Sequence, residues 1–292
     1  MNLKLITPPT ALPLHINDVR QHLKQDITDD DNLISLYLSS AVEFAQAKTN
    51  RQFVAARYQL ILDAFPAPNM MLATFGRNKS TTDYVIQLFK TPLIQIVSID
   101  YTASDGTTKT MAATDYIVDS AYDPPRIMSG YGKDWPITQD RIGAVRVTFD
   151  AGYMAPITVD IVANTVTVKN WKTLIVGDNV RLSNSGGVLP MPLANRTDYY
   201  IQSVVSPGVY TLTASLGGSV LDLTALDSGI SFLGQPGING SPGELPDGIK
   251  AWALIRSESL YTNRGETVNT RGNIVPLPFA DSLLDPYKLV LM

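Results

Sequence analysis

The sequence predicts an α+β protein in two parts. A helical core with an antiparallel β part is built from residues 1–155 and 244–292, and an all-β unit, a small sandwich or barrel, is inserted over residues 156–243. Three observations carry this. Apolar residues recur at helical spacing near both ends of the chain, period two governs the stretch from Arg57 to Phe149, and a glycine-rich, charge-poor segment lies between that stretch and the last helix.

The first 50 residues read as two helices. Ile16, Val19 and Leu23 recur at helical spacing, and Leu33, Leu36, Tyr37, Ser40, Ala41, Phe44 and Lys48 continue the pattern in a second segment. Leu33, Leu36, Tyr37 and Phe44 are therefore the expected packing face of the second helix. Between the helices, Asp26-Ile27-Thr28-Asp29-Asp30-Asp31 places acids ahead of a helix start, where carboxylates cap amides and meet the positive end of the dipole. The run lacks the alternating ligands, central glycine and distal glutamate of a calcium loop, so it reads as capping.

From Arg57 the period becomes two. Tyr58, Leu60 and Leu62 alternate with polar neighbours, as do Val145, Val147 and Phe149, which predicts half-buried strands. Leu93 to Tyr101 is a long strand running into Asp105-Gly106, a hairpin turn signal, with a return strand expected at Thr108 to Met111. Residues 66–83 are rich in Pro, Asn, Gly, Ser and Thr and carry Arg77 and Lys79. A loop that long in a compact domain tends to be functional, which makes Arg77 and Lys79 candidate partner contacts.

At Pro156 the composition shifts. Residues 157–243 hold nine charges in 87 positions, no glutamate, and 11 of the 20 glycines. Short β-type bursts, among them Thr165–Val168, Asn179–Leu182, Tyr199–Val205 and Val209–Leu212, suggest seven or eight strands, with Gly186-Gly187 and Gly217-Gly218 as hairpin turns. The segment closes on Gly234 to Gly243, a Gly/Pro linker whose few triplets are too short for a collagen helix. Pro246 then suits a first helical position. Ile249, Trp252, Ala253, Arg256 and Leu260 lie on one face of a helix to about Asn263, with Ile249, Trp252 and Leu260 as helix-packing candidates. Glycines and prolines keep the tail 265–292 extended, with a last short turn at Ser282 to Tyr287.

Composition narrows function mainly by exclusion. Lys and Arg total 23 against 27 Asp and Glu, a formal charge of -4, so no basic surface marks a nucleic-acid binder. The absence of cysteine removes disulfides, thiolate nucleophiles, Cys-ligated zinc and iron–sulfur clusters. Pro8-Pro9 stands where a signal peptide would carry its apolar stretch, and no apolar run is long enough to span a membrane, so neither is expected. His15 and His22 fall about 10 Å apart along one helix and cannot share a metal. His15 is expected at the helix start and His22 in solvent. Hydrolase elbows and zinc-protease motifs are missing, and Ser129-Gly130-Tyr131-Gly132-Lys133-Asp134 lacks both the upstream glycine and the terminal hydroxyl of a phosphate loop. No catalytic, metal or cofactor-binding residue is assigned. Two distant acids could still converge as in a glycoside hydrolase, but nothing singles out a pair.

Taken together, the outer segments resemble the head-to-tail connector (adaptor) proteins of tailed double-stranded DNA bacteriophages. The matching residues are Leu5-Ile6-Thr7-Pro8-Pro9-Thr10, the two helices with Thr49-Asn50-Arg51-Gln52 after them, and Leu60 to Pro66. Next come Asp105-Gly106-Thr107, Tyr116, Pro125-Arg126-Ile127, Trp135-Pro136 and Ala144 to Tyr153 with its Ala151-Gly152-Tyr153 ending. The match resumes at Leu245 to Lys250 and closes with Leu277-Pro278-Phe279 and Leu283 to Lys288. One departure is large: 92 positions separate Tyr153 from Pro246, where the family has a few, and the surplus coincides with the charge-poor segment. Within it, Gly177 to Leu182, Leu189-Pro190, Asp198 to Ile201 and Tyr210 to Leu212 look similar to small β modules of phage tail-associated proteins.

The resemblance implies a structural, non-enzymatic virion protein of the neck, assembled in the host cytoplasm. It implies a homo-oligomeric ring, typically of twelve subunits, that joins the portal protein to the next neck or tail-completion protein and contacts packaged DNA passively. The helices would line the channel, and the tail from about Thr267 would reach the portal or a neighbouring subunit, with Val275, Leu277, Phe279, Leu283, Leu284, Tyr287 and Leu289 as its docking residues. An alternative of another class makes the inserted β unit a module for a glycan or host surface. Contact with capsid or other neck proteins is the blander reading of the same low-charge surface, and a tail-associated hydrolase is a third.

Overall fold

The computed structural model describes residues 2–66, 84–237, 241–263 and 278–289. Within them the chain is an α+β structure of one helical layer, two antiparallel sheets and a closed barrel. The strands are β1 (Asn2–Thr7), β2 (Ala56–Leu62), β3 (Ile86–Gln87), β4 (Leu93–Thr102), β5 (Thr108–Thr110), β6 (Tyr116–Asp119), β7 (Arg126–Ser129) and β8 (Val145–Ala151), then β9 (Ala155–Asp160), β10 (Thr165–Val168), β11 (Asn179–Ser185), β12 (Asp198–Ser206), β13 (Val209–Thr213) and β14 (Ile230–Gly234). The helices are α1 (Ile16–Leu23), α2 (Asp31–Thr49), α3 (Asp247–Thr262) and α4 (Pro278–Ser282), followed by a 3₁₀ turn at Asp285–Tyr287.

The central sheet has the order β1-β2-β8-β4-β5, and β3-β7-β6 form a second, smaller sheet. Val145, Val147, Phe149 and Ala151 of β8 alternate onto one face and pack with Leu60, Ile99, Ile86 and Ile127, so the two sheets share a core. The hairpin between β4 and β5 turns where expected. Gly106 takes a φ of 82°, and the Asp105 carboxylate accepts from the Thr107 amide at 2.9 Å and its hydroxyl at 2.6 Å. Those bonds hold the Asp105 carboxyl below its ordinary pKa. Gly152 marks the exit from the central sheet. A Cβ there would lie 2.7 Å from the Ala55 backbone, so the Ala-Gly-Tyr ending of β8 needs its glycine for close backbone approach.

Six strands, β10-β13-β12-β11-β14-β9, close the barrel, fewer than the seven or eight expected from sequence bursts. Val166, Val180, Leu182, Ile201, Tyr210, Leu212 and Leu233 fill its interior. Its wall is shared with the helical layer. On β14, Leu233 belongs to the barrel core while Phe232, its neighbour in a period-two strand, belongs to the helical core with Ile34, Leu38 and Trp252. The expected Gly/Pro linker is a closed turn at its ends: Gly237 N–H donates to Ser241 O at 2.9 Å, and Pro236 bridges to Pro242.

Several local expectations need correction. The opening residues contain β1, paired along β2, besides the two helices. Asp30 occupies the N-cap of α2 without a capping side-chain bond, and its carboxylate instead accepts from the Tyr261 hydroxyl, while Asp31 pairs with Arg20. Tertiary partners have displaced the local capping role. Pro246 is the N-cap of α3, one position earlier than a first helical residue. His15 does cap α1, accepting from Asn17 N–H at 3.1 Å, but His22 faces Glu258 at 3.0 Å instead of standing in solvent.

Candidate assembly surface

α2 buries Ile34, Leu38, Ala41, Val42, Ala45 and Thr49 against α1, α3 and the segment that follows it. This stripe lies one residue, about 100° of rotation, from the face expected from sequence. Leu36 is 59% exposed and Phe44 50% exposed, while Leu33 and Tyr37 are half-buried. α2 is apolar on two sides, and small residues decide which side goes in: Ala41 and Ala45 admit the neighbouring helices where Phe44 would hold them apart. On α3, Ile249 and Trp252 are buried with Ala253, and Leu260 is only partly covered.

Phe44 is nonetheless not free. Its ring stacks on Trp252 with centroids 5.7 Å apart and planes 8° from parallel, and the Lys48 and Arg256 cations lie over it at 5.9 and 5.8 Å. Trp252 Nε1 donates to Asp281 at 3.1 Å, and Lys48 pairs with the same carboxylate at 2.7 Å. These bonds, Lys48 first, hold the Asp281 carboxyl below its ordinary value.

Asp281 brings the C-terminal segment onto this layer. Leu284 is fully buried in the helical core, Leu283 and Tyr287 pack against it, and Leu289 is buried with its amide donating to Thr49 O at 3.0 Å. Leu283, Leu284, Tyr287 and Leu289, the candidate docking residues of the tail, are therefore engaged by their own chain in the single subunit. α4 likewise makes part of the expected extended tail helical. Phe279 falls within α4 but its side chain lies outside the described residues, as do Val275, Leu277, Arg77 and Lys79.

The Thr49-Asn50-Arg51-Gln52 motif is the knot that holds this arrangement. Asn50 ends α2 in the left-handed conformation, φ 56°. Arg51 then donates to Tyr287 O at 2.5 Å, Thr91 Oγ1 at 2.8 Å and Asp123 Oδ2 at 2.5 Å. Gln52 donates to Val54 O at 2.8 Å and accepts from the Tyr58 hydroxyl at 2.6 Å, and burial pushes the Tyr58 phenol up to about 12. One tetrapeptide thus joins helix, central sheet and C-terminal segment.

A second knot fixes the barrel to α1. Gly186 N–H donates to Asp18 Oδ1 at 3.0 Å, Asn17 Nδ2 donates to Gly186 O at 2.9 Å, and His15 N–H donates to Ser185 Oγ at 2.7 Å, with the Ser185 hydroxyl in turn donating to Asp18. A Cβ on Gly186 would sit 2.4 Å from the His15 side chain. Gly186 is thus a contact point with the helical layer beyond its expected part in a turn. No sequence motif signalled this contact, because its halves are about 170 residues apart. Arg196 adds ion pairs to Glu244 and Asp247 at the start of α3.

The polar clusters described above join element to element. Residues 14–122 match the family model described as Phage gp6-like head-tail connector protein, so the resemblance read from the sequence holds over the segment from α1 to just beyond β6. Comparison with curated proteins gives no match. Among solved structures, the fold is similar to a chain in the neck of an empty gene transfer agent (GTA) particle computed with C6 symmetry, at 14% identity and a TM-score of 0.53. A chain of the native GTA virion gives 13% and 0.52, and one from the native GTA neck computed with C12 symmetry gives 14% and 0.51. Each comparison covers 100% of this chain and 97% of the other, so the shared fold spans the barrel as well as the core. Among the described residues no group of three or more His, Asp or Glu could hold a metal ion, and no helix is long and apolar enough to cross a membrane.

Proposed function

We propose that this chain is a head-to-tail connector subunit of a phage-like virion, a structural protein of the neck. In this reading it forms a homo-oligomeric ring, of twelve copies, beneath the portal protein and above the next neck or tail-completion protein. The observation that carries the reading is the connector-family match over residues 14–122 on a fold shared end to end with neck chains. A ring of identical subunits requires a heterologous contact that closes by rotation. The net charge of -4 suits a passage for DNA, since a channel that must release its cargo should not grip phosphates. The role needs no catalytic step: the protein transmits position between head and tail. Its rigidity comes from the Arg51 knot and the Asp18–Gly186 knot, which tie helices, sheet, C-terminal segment and barrel into one body.

Sedimentation of the purified protein with the portal assembly of the same virion tests this. The two should cofractionate at a fixed ratio, and independent sedimentation at every ratio would contradict the proposal.

A further inference from the structure

One face of α2 is an apolar surface that its own chain covers only in part. Leu33, Tyr37 and Phe44 recur along it, with the more exposed Leu36 at its border, while the stripe about 100° away is committed to the core. The two ends of this helical layer differ in charge. At the Phe44 end, Arg256 is exposed and lies over the Phe44 ring, and although its charge reaches the Asp281 carboxylate, that carboxylate is paired with Lys48 and Arg256 makes no ion pair within 4 Å among the described residues. At the other end, the corner before α2 carries Asp26 and Asp29, both exposed and without an ion pair among the described residues, on either side of Ile27, which is 61% exposed. The Phe44 ring is about 20 Å along the helix from that corner, at 1.5 Å per residue.

From this we infer that the α2 face is the seam between copies of this chain. The Asp26-Ile27-Thr28-Asp29 corner of one copy meets the Phe44–Arg256 end of the next, with Ile27 against the apolar stripe and the carboxylates facing Arg256. The contact is head-to-tail, because each copy offers a different patch to each of its neighbours, and head-to-tail contacts are the kind that generate rings. Opposite charges fix the register and the apolar residues supply buried area. This seam rests on the ring proposed above.

Charge exchange tests it on the full-length protein. Three samples are compared with wild type for ring assembly by sedimentation and negative-stain microscopy, with and without the portal. They are Asp26→Lys/Asp29→Lys, Arg256→Glu, and an equal mixture of the two. Asp26 and Asp29 are exposed and unpaired among the described residues, so their variant should melt as wild type does, while Arg256→Glu gives up the contact with the Phe44 ring and its assembly is compared at a temperature well below its own melting point. Each variant alone sets like charges together at every seam, and the concentration for half-assembly should rise about tenfold or more. The mixture should recover rings, because alternating copies restore opposite charges at both kinds of seam, a pattern that closes only for an even number of subunits. Rings that form equally well with either variant alone would overturn the seam while leaving the ring intact. So would a mixture no better than its components. Failure of wild type to form rings in any condition would overturn both. Leu36→Arg gives a second reading: at a seam it should weaken assembly without lowering the melting temperature, and unchanged assembly would count against the apolar half of the contact.

Discussion

Arg57 and Asp150 face each other across β2 and β8, and their bonds of 2.8 and 3.0 Å form a two-pronged pair, with Gln95 donating a third bond to Asp150 at 2.7 Å. The Asp150 side chain is fully buried, whereas that of Arg57 is 33% exposed. Hydrogen bonding to Asp150 raises the Arg57 pKa further. The asymmetry predicts unequal costs. Arg57→Ala strands a buried carboxylate and should cost about 3–5 kcal/mol by chemical denaturation. Asp150→Ala leaves a guanidinium that can turn to solvent, and should cost less. Equal losses would show that the pair is not differentially solvated. The period-two pattern revealed these strands, but it could not single out this pair, since register between strands nearly a hundred residues apart is a property of the assembled sheet.

At the scale of elements, α1, α2, α3 and the central strands β2 and β8 were legible because each repeats its apolar residues at its own period, whereas β1 was not read. The face that α2 buries was not. Two apolar stripes run along it, and the choice between them depends on how closely α3 can approach, which local sequence does not encode. The C-terminal segment was read as extended because its glycines and prolines forbid long helices, yet a five-residue helix and one 3₁₀ turn suffice to seat Leu284. Its anchor predicts a pH response. The folded Asp281 pKa is depressed, so its contribution is present above the ordinary carboxylate value near 4 and fades as pH falls below that through the folded value. Trp252 fluorescence should shift below about pH 4, and Asp281→Asn should remove the acid-dependent part of that shift. An unchanged acid transition in the variant would place its origin elsewhere. The barrel knot makes a separate prediction. Gly186 has a φ of 75° and no room for a Cβ, so Gly186→Ala should destabilise by about 1–3 kcal/mol in chemical denaturation. Wild-type stability in Gly186→Ala would mean that the barrel is held by its other contacts.

For the whole molecule, the shift to low charge density at residue 156 falls beside the start of the strands that close into a barrel, which run from Ala155 to Gly234. What composition could not show is that Phe232 reaches out of the barrel into the helical core, so that insertion and core share a wall. The assembly surface was the least legible part, because a seam between copies uses exposed residues whose pattern in one chain resembles ordinary solvated surface. The account as a whole stands on the ring. Class-averaged electron microscopy of the full-length protein bound to its portal measures it directly. The prediction is a closed ring of twelve copies, coaxial with the portal, around a channel wide enough for duplex DNA. Monomers scattered on the portal, or no bound density at all, would contradict it.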